Sequence, residues 1–287
     1  MLRLALPNKG RLAEGARELL AQAGLELESR GDRALQATLS GEFQAIFVRA
    51  QDIPEFVADG AADLGITGGD LVHEAARGVE TLLDLGFGRC RLAVATKEDA
   101  DAASVAELPD GVRVATSFPR STERHFTERG RRVELVPVSG AAEIAPHLGV
   151  ADVIVDLVST GSTLKMNGLR EIETILESTA VLIAAPSLLE TADGRRSARE
   201  LETALESVIR AQGKRYLMAN VPRTELEAVK RIIPGLHGPT IVDILDGEEW
   251  VAAHAVVDAG EVYRAIAKLK ALGAQGLLVT RIERLMP

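Results

Sequence analysis

An acid, two apolar residues and a run of hydroxyls around a glycine follow one another at Asp156-Leu157-Val158-Ser159-Thr160-Gly161-Ser162-Thr163. Backbone N–H groups in such a turn can face an anion, and a helix starting there adds partial positive charge. Glycine removes the side chain that would hold a phosphate away. The carboxylate just ahead can accept hydrogen bonds from sugar hydroxyls. The chemistry indicated is capture of a phosphate beside a ribose, with Asp156 on the sugar and Ser159, Thr160, Gly161, Ser162 and Thr163 on the phosphate. The competing reading is a plain hydroxyl-rich loop that Asp156 caps. The segment is neither a Walker A loop nor the G-x-G-x-x-G dinucleotide fingerprint. Asp152 precedes Asp156 on the same strand, about 13 Å away at 3.3 Å per residue. The two acids therefore cannot clamp one diol, and Asp152 is assigned to structure.

The elements that must position this loop can be read from the pattern around it. The apolar run Val153-Ile154-Val155 is a buried strand feeding the turn. Residues 2–6 form a short buried strand. From Gly10 a helix follows with Leu12, Leu19 and Leu20 on its apolar stripe. Residues 34–39 and 43–49 alternate as a hairpin around Ser40-Gly41, Pro54 to Ala62 suits a helix, and Leu64 to Thr67 is another strand. A second α/β set starts near residue 95. Its expected strands are 92–95, 112–115, 133–138 and 153–158, with helices at 104–108, 121–129 and 140–147. Val181 to Ala184 crosses back to the first set. The expected fold class is α/β, with two lobes resembling periplasmic binding proteins around a cleft. Lobe I comprises 1–94 and 179–210, and lobe II comprises 95–178. Ligands in open α/β sheets sit beyond the carboxyl ends of strands. Lys9, Arg49, Thr67 to Asp70 and Ser159 to Thr163 all follow expected strands and so can line one cleft. Residues 190–200 read as a solvated turn and helix start.

Residues 212–287 form a separate pattern. Strands at 216–221, 240–245, 250–257 and 276–282 alternate with helical stripes Leu226-Val229-Ile233 and Val262-Ile266-Leu269. Thr224 with Glu227, and Asp258 with Glu261, offer capping boxes, and Asp246-Gly247 a hairpin turn. The order βαββαβ is ferredoxin-like. No nucleophile–base pair is visible there, which points to ligand sensing or assembly.

Composition narrows the class. Apolar residues make up 46% and aromatics only 3%, so the core must be aliphatic and an aromatic nucleic-acid platform is not expected. A net charge of −9 disfavours binding to nucleic acid or anionic membrane. Basic groups must therefore be focused in the cleft, or Mg²⁺ must offset substrate charge. Cys90 is the single cysteine, so no intrachain disulfide forms. It reads as a small strand residue, although flanking Arg89 and Arg91 can lower a thiol's pKa. No secretory segment and no membrane-length apolar run is seen. His73, His125, His147, His237 and His254 show no metal-ligand spacing, and no Gly-x-Ser-x-Gly elbow occurs.

Glu143, Gly149, Ala151, Ile154, Asp156, Leu157, Thr160, Gly161, Thr163 and Leu164 fall as in the signature of the ATP phosphoribosyltransferase family. The resemblance covers essentially the whole chain. It includes Leu4 to Gly10, Phe47-Val48-Arg49 with Asp52-Ile53, Asp63 to Gly68 with Asp70-Leu71, and Leu85 to Gly88. Near the end, Pro234-Gly235, Pro239-Thr240-Ile241 and Leu269 to Ala274 resemble the regulatory domain of the family's long form. The resemblance implies an enzyme of the first step of histidine biosynthesis. It would condense ATP with phosphoribosyl pyrophosphate (PRPP) to phosphoribosyl-ATP and pyrophosphate, with Mg²⁺ as cofactor. Lys9 and Arg49 would face phosphates as nucleotide-binding and catalytic groups beside Asp156. Asp70 reads equally as a nucleotide or magnesium contact and as a helix cap. Glu143 reads as structural, and Arg120 and Arg124 as contributors of positive field. No metal ligand is assigned. Histidine would bind as inhibitor at Asn220, Thr240, Val256 and Gly276. A cytoplasmic homohexamer built from dimers is the implied assembly. A solute-binding module with a fused sensor, and a regulatory paralogue without catalysis, are the rival readings.

Overall fold

Leu4 to Pro7 are buried, as a strand covered on both faces requires, and this strand is the centre of the first sheet. The computed structural model describes residues 1–28, 35–245 and 249–286. Two compact units divide the chain, Met1–Glu202 and Thr203–Pro287.

In the first unit, strands β1 (Leu2–Pro7), β2 (Leu27–Glu28), β3 (Gln36–Leu39), β4 (Phe43–Val48), β5 (Leu64–Gly68) and β6 (Glu80–Asp84) precede a second group. That group is β7 (Cys90–Lys97), β8 (Val112–Thr116), β9 (Val133–Pro137), β10 (Val153–Val158) and β11 (Leu169–Ser178), followed by β12 (Ala180–Ala184). The helices are α1 (Gly10–Gln22), α2 (Ile53–Ala58), α3 (Gly69–Ala75), α4 (Pro119–Glu128), α5 (Ser162–Met166) and α6 (Pro186–Glu190), and α7 (Ala192–Ala211) begins in this unit and ends in the second. One sheet runs β2-β3-β4-β1-β5-β12-β6 and the other β11-β7-β10-β8-β9. β1 is parallel to both β4 and β5, while β12 returns antiparallel to β5. The chain thus leaves the first sheet after Asp84 and re-enters it at Ala180. The expected division at 94/95 cuts through β7, which pairs along its whole length with β10 and β11 of the second sheet.

Several expected elements are shorter, for local reasons. The helix read over 140–147 is only a 3-10 turn at Ala142–Ile144. Pro146 has no N–H to continue it, and Ala141 sits at φ +52. The helix from Pro54 ends at Ala58, just before Gly60 at φ +71. The helix read over 104–108 is a 3-10 turn, Val105–Glu107. Residues 190–200 do more than start a helix, because α7 runs on to Ala211. β6 and β11 are elements that the hydrophobic pattern does not reveal.

The second unit contains β13 (Lys214–Pro222), α8 (Leu226–Ile232), β14 (Thr240–Asp243), β15 (Trp250–Asp258), α9 (Val262–Ala271) and β16 (Gln275–Arg281). The sheet order β14-β15-β13-β16 with antiparallel neighbours is that of a ferredoxin-like βαββαβ unit. Leu217, Ala219, Val221, Val251, Ala253 and Ala255 pack with Val229 and Leu269 in its core. Neither expected capping box forms. Thr224 lies inside a 3-10 turn, Arg223–Glu225, and Glu227 Oε1 accepts from Lys230 Nζ at 2.7 Å. Asp258 pairs with Lys214 at 2.5 Å and Glu261 with Arg264 at 3.1 Å. The Asp246-Gly247 turn lies outside the described residues. No described helix is long and apolar enough to cross a membrane.

Candidate active site

β10 delivers Asp156 to the carboxyl edge of the second sheet, as the apolar run ahead of it requires. Its register partner on β7 is Ala93, with Val158 opposite Arg91. Ala93, Ala95 and Ala115 share a small-residue face with Ile154, Val158 and Leu164. That face leaves room for the loop to fold over the strand ends. Burial pushes the Asp156 carboxyl up. The N–H of Leu157, donated to Oδ1 at 2.8 Å, works against this, and the charge of Glu143 adds to it.

The loop turns at Gly161, whose φ of +78 suits glycine. A Cβ there would find room, the nearest atoms being Val158 Cγ1 at 3.9 Å and Arg91 Nη2 at 4.0 Å. Glycine is therefore required for backbone conformation, not space. The hydroxyls of Thr160 and Ser162 lie 2.9 Å apart. Ser159, Thr160, Ser162 and Thr163 are exposed, and the N–H groups of the first turn of α5 have no partner within the helix. Because α5 is only five residues long, these local donors outweigh any helix dipole.

A cavity of about 670 Å³ faces this edge. Its walls include Lys9, Gly10 and Arg11 at the start of α1, Gly68 at the end of β5, Asp70 in the first turn of α3, Phe87 to Cys90, and Leu157 with Ser159. Of the sequence-derived candidates, Lys9, Asp70 and Ser159 meet here. Asp156 and Thr160 to Thr163 stand beside it, outside the wall. Arg49 is exposed and also outside the wall. It leaves β4 next to Lys9, since Pro7 pairs with Val48 and the Asn8 N–H donates to Val48 O at 2.8 Å.

Asp70 is 4% exposed and holds Ser178: the serine Oγ donates to Oδ1 at 2.6 Å and accepts the Asp70 N–H at 2.8 Å. Burial raises its pKa against the effect of Ser178. The cap is thus reversed, with Ser178 serving the first turn of α3. The Cys90 thiol is pushed up by burial and by Asp70, opposite to the effect expected of its flanking arginines. Asp152 is structural, bound to Arg113 at 2.7 Å. Arg120 and Arg124 are committed away from the cavity. The first donates to Ala75 O at 2.5 Å and the second contacts His73. Glu74 accepts the N–H groups of Arg120 and Ser121 at 2.9 and 2.8 Å, so α3 caps α4 across the two sheets.

Phe87, part of the Leu85-to-Gly88 block, lies in the cavity wall, whereas Arg11 there and the Arg91–Glu171 pair behind the loop carry no local sequence assignment. Arg11 could have been found from its place directly after Lys9-Gly10.

In the second unit, Asn220 and Val256 alternate with buried residues of β13 and β15, and Thr240 precedes Ile241, which packs on the core, so the three lie on the sheet face opposite the helices. Gly276 adjoins Asn220, whose Nδ2 would lie 3.3 Å from a Cβ there. Thr240 pairs with His254 on β15, two residues from Val256. The four positions share a face as two neighbouring pairs.

Known proteins match both units. The family model described as ATP phosphoribosyltransferase matches residues 49–207, and "HisG, C-terminal domain" matches 211–284. An ATP phosphoribosyltransferase of Gemmatimonas aurantiaca is 61% identical over 292 residues, with 100% of each chain covered. One from Natronomonas pharaonis is 50% identical over 287 residues, again with 100% of each covered. A solved chain of the ATP phosphoribosyl transferase (HisG:HisZ) complex from Thermotoga maritima superposes with TM-score 0.65 at 28% identity. That match covers 73% of this chain and 99% of that one. The matches span the loop, the cavity and the C-terminal sheet alike, and the chain belongs to the ATP phosphoribosyltransferase family, the enzymes of the first step of histidine biosynthesis.

Proposed function

We propose that ATP and PRPP meet in the cavity between Lys9, Asp70 and Ser159. The 5-phosphate of PRPP is held by Ser159 to Thr163, and its ribose hydroxyls donate to Asp156. A ring nitrogen of adenine forms a bond to the anomeric carbon as the carbon–oxygen bond to pyrophosphate breaks and its electron pair leaves with pyrophosphate. No general base is needed for the attack, because the nitrogen already carries a lone pair. Orientation and charge complementarity do the rest. Asp156, with Glu143 behind it, supplies negative potential beside the ribose as positive charge develops there. Lys9, and Arg49 next to it, would face the phosphates. The observation that carries this reading is the Asp156-to-Thr163 loop opening at the edge of a cavity whose wall includes Lys9, Arg11 and Arg89.

Among the described residues no group of three or more His, Cys, Asp or Glu is placed to hold a metal. The residues present therefore fit magnesium carried on substrate oxygens with its waters, not a caged resident ion. Bound in that way it would neutralise charge on the pyrophosphate. We further propose that histidine inhibits the enzyme through Asn220, Thr240, Val256 and Gly276. A cytoplasmic homohexamer assembled from dimers completes the reading. The match over residues 211–284 and the shared open face of those four positions support the regulatory part.

Full-length protein supplied with ATP, PRPP and Mg²⁺ should release pyrophosphate, and histidine should suppress that release. No release would sink the reaction. Release indifferent to histidine would sink the regulatory part alone. Gly161→Ala places a side chain at φ +78, at a cost of about 1–2 kcal/mol. Its KM for PRPP is expected to rise roughly tenfold, measured in the same assay, while KM for ATP changes little.

A further inference from the structure

We propose that Arg91, clamped by Glu171, is a positioning residue that fixes the Ser159 end of the loop for the phosphate of PRPP. This rests on the PRPP reading of the loop. Arg91 lies directly opposite Val158, the last residue of β10 before the loop. Its Nη1 donates to the carbonyl of Ser159 at 3.4 Å. Its Nη2 lies about 4.0 Å from where a Cβ on Gly161 would sit. One guanidinium therefore touches the loop at its first residue and flanks its turn.

The guanidinium does not choose this place freely. Nε lies 2.9 Å from both oxygens of Glu171, and Nη2 is 2.6 Å from Oε2. Glu171 Oε1 is itself held by Thr174 Oγ1 at 2.8 Å. On the face of β7 that carries Arg91, only Ala93 lies between it and Ala95, the register partner of Glu171. With no long side chain in the way, the arginine can run along the sheet to its acid. A planar fork can engage a carboxylate through Nε and Nη2 and still present Nη1 to a carbonyl; an ammonium cannot do both with fixed geometry. Glu171 and Arg91 each hold the other in the charged form. The pair thus places a permanent cation behind a loop that must meet a phosphate, and its own anion sets where that cation points.

The test titrates PRPP, and separately ATP, into full-length wild type, R91Q, R91K and E171Q by calorimetry. Pyrophosphate release is measured on the same preparations. R91Q and R91K are expected to weaken PRPP binding at least tenfold and E171Q about fivefold. ATP binding should stay within twofold; because the pair is only 32% and 24% exposed, melting temperatures are recorded alongside, and a loss confined to PRPP separates positioning from general destabilisation. R91K preserves length and charge and carries the test if R91Q does not fold. PRPP affinity within twofold of wild type in both Arg91 variants would overturn the proposal, as would equal losses for PRPP and ATP. Wild-type pyrophosphate release with Arg91-insensitive PRPP binding removes the role of Arg91 and leaves the reaction standing. Arg91-dependent PRPP binding without release does the reverse.

Discussion

Asp156→Asn is expected to lower kcat/KM for PRPP by about 10²–10³ while leaving the fold as stable as wild type or more so. Hydrogen bonds to a charged acceptor are each worth about 1.5–3 kcal/mol, and two ribose hydroxyls would lose that acceptor. Stability moves in the opposite sense. The folded-state pKa of Asp156 is raised, first by burial. Its contribution to stability is therefore fully present below the unfolded-state pKa and is lost as pH rises through the folded value. At neutral pH the ionised group burdens the fold, and the burden is increased by Glu143. Asparagine removes it and can still accept the N–H of Leu157. In wild type the acid limb of kcat/KM should lie above the ordinary carboxylate value of 3.8. In the variant that limb should vanish, leaving only the titration of the substrate's own phosphates. A melting temperature that falls in step with activity would show Asp156 to be structural.

Phe126→Ala should give the reverse signature. Phe126 on α4 is fully buried among Leu92, Val94, Val114, Val153 and Val155. Emptying that site costs about 3–5 kcal/mol from a total of roughly 5–15 kcal/mol. The first transition in a calorimetric scan is expected to drop by roughly 10 °C. Val153 and Val155 belong to the strand that carries Asp156, so activity should fall because the platform loosens. Both substrates should be affected alike, in contrast to the selective loss at Asp156. An unchanged transition would contradict the packing described for this sheet.

The strand that carries the loop was legible because it opens on the apolar run Val153-Ile154-Val155 ahead of Asp156. β5 was legible in the same way as Leu64 to Thr67, and the structure extends it by one residue, to Gly68. β11 was hidden for a physical reason. Its sequence, LREIETILES, mixes apolar residues with acids. Register shifts between Glu171 and Glu173, and between Thr174 and Leu176, break the period-two alternation. Its acids are spent on partners far away in sequence, Glu171 on Arg91 and Glu173 on Arg129 at 2.6 Å. The clamp behind the loop therefore cannot be seen without the sheet. Ser178 closes the same strand, so its hold on Asp70 was hidden with it. The opposite error occurred at 140–147, where helix-forming residues surround a proline that forbids a helix. Asp156, Gly161 and Lys9 could be put forward from the sequence because strand ends and glycine turns announce themselves locally. Arg91 depends on pairing between distant strands.

The most direct test of the central claim is a crystal structure of the full-length protein with PRPP bound. The phosphate is expected within hydrogen-bond distance of the loop from Ser159 to Thr163, with the ribose hydroxyls on the Asp156 carboxylate. PRPP held elsewhere while that loop stays empty would contradict the account.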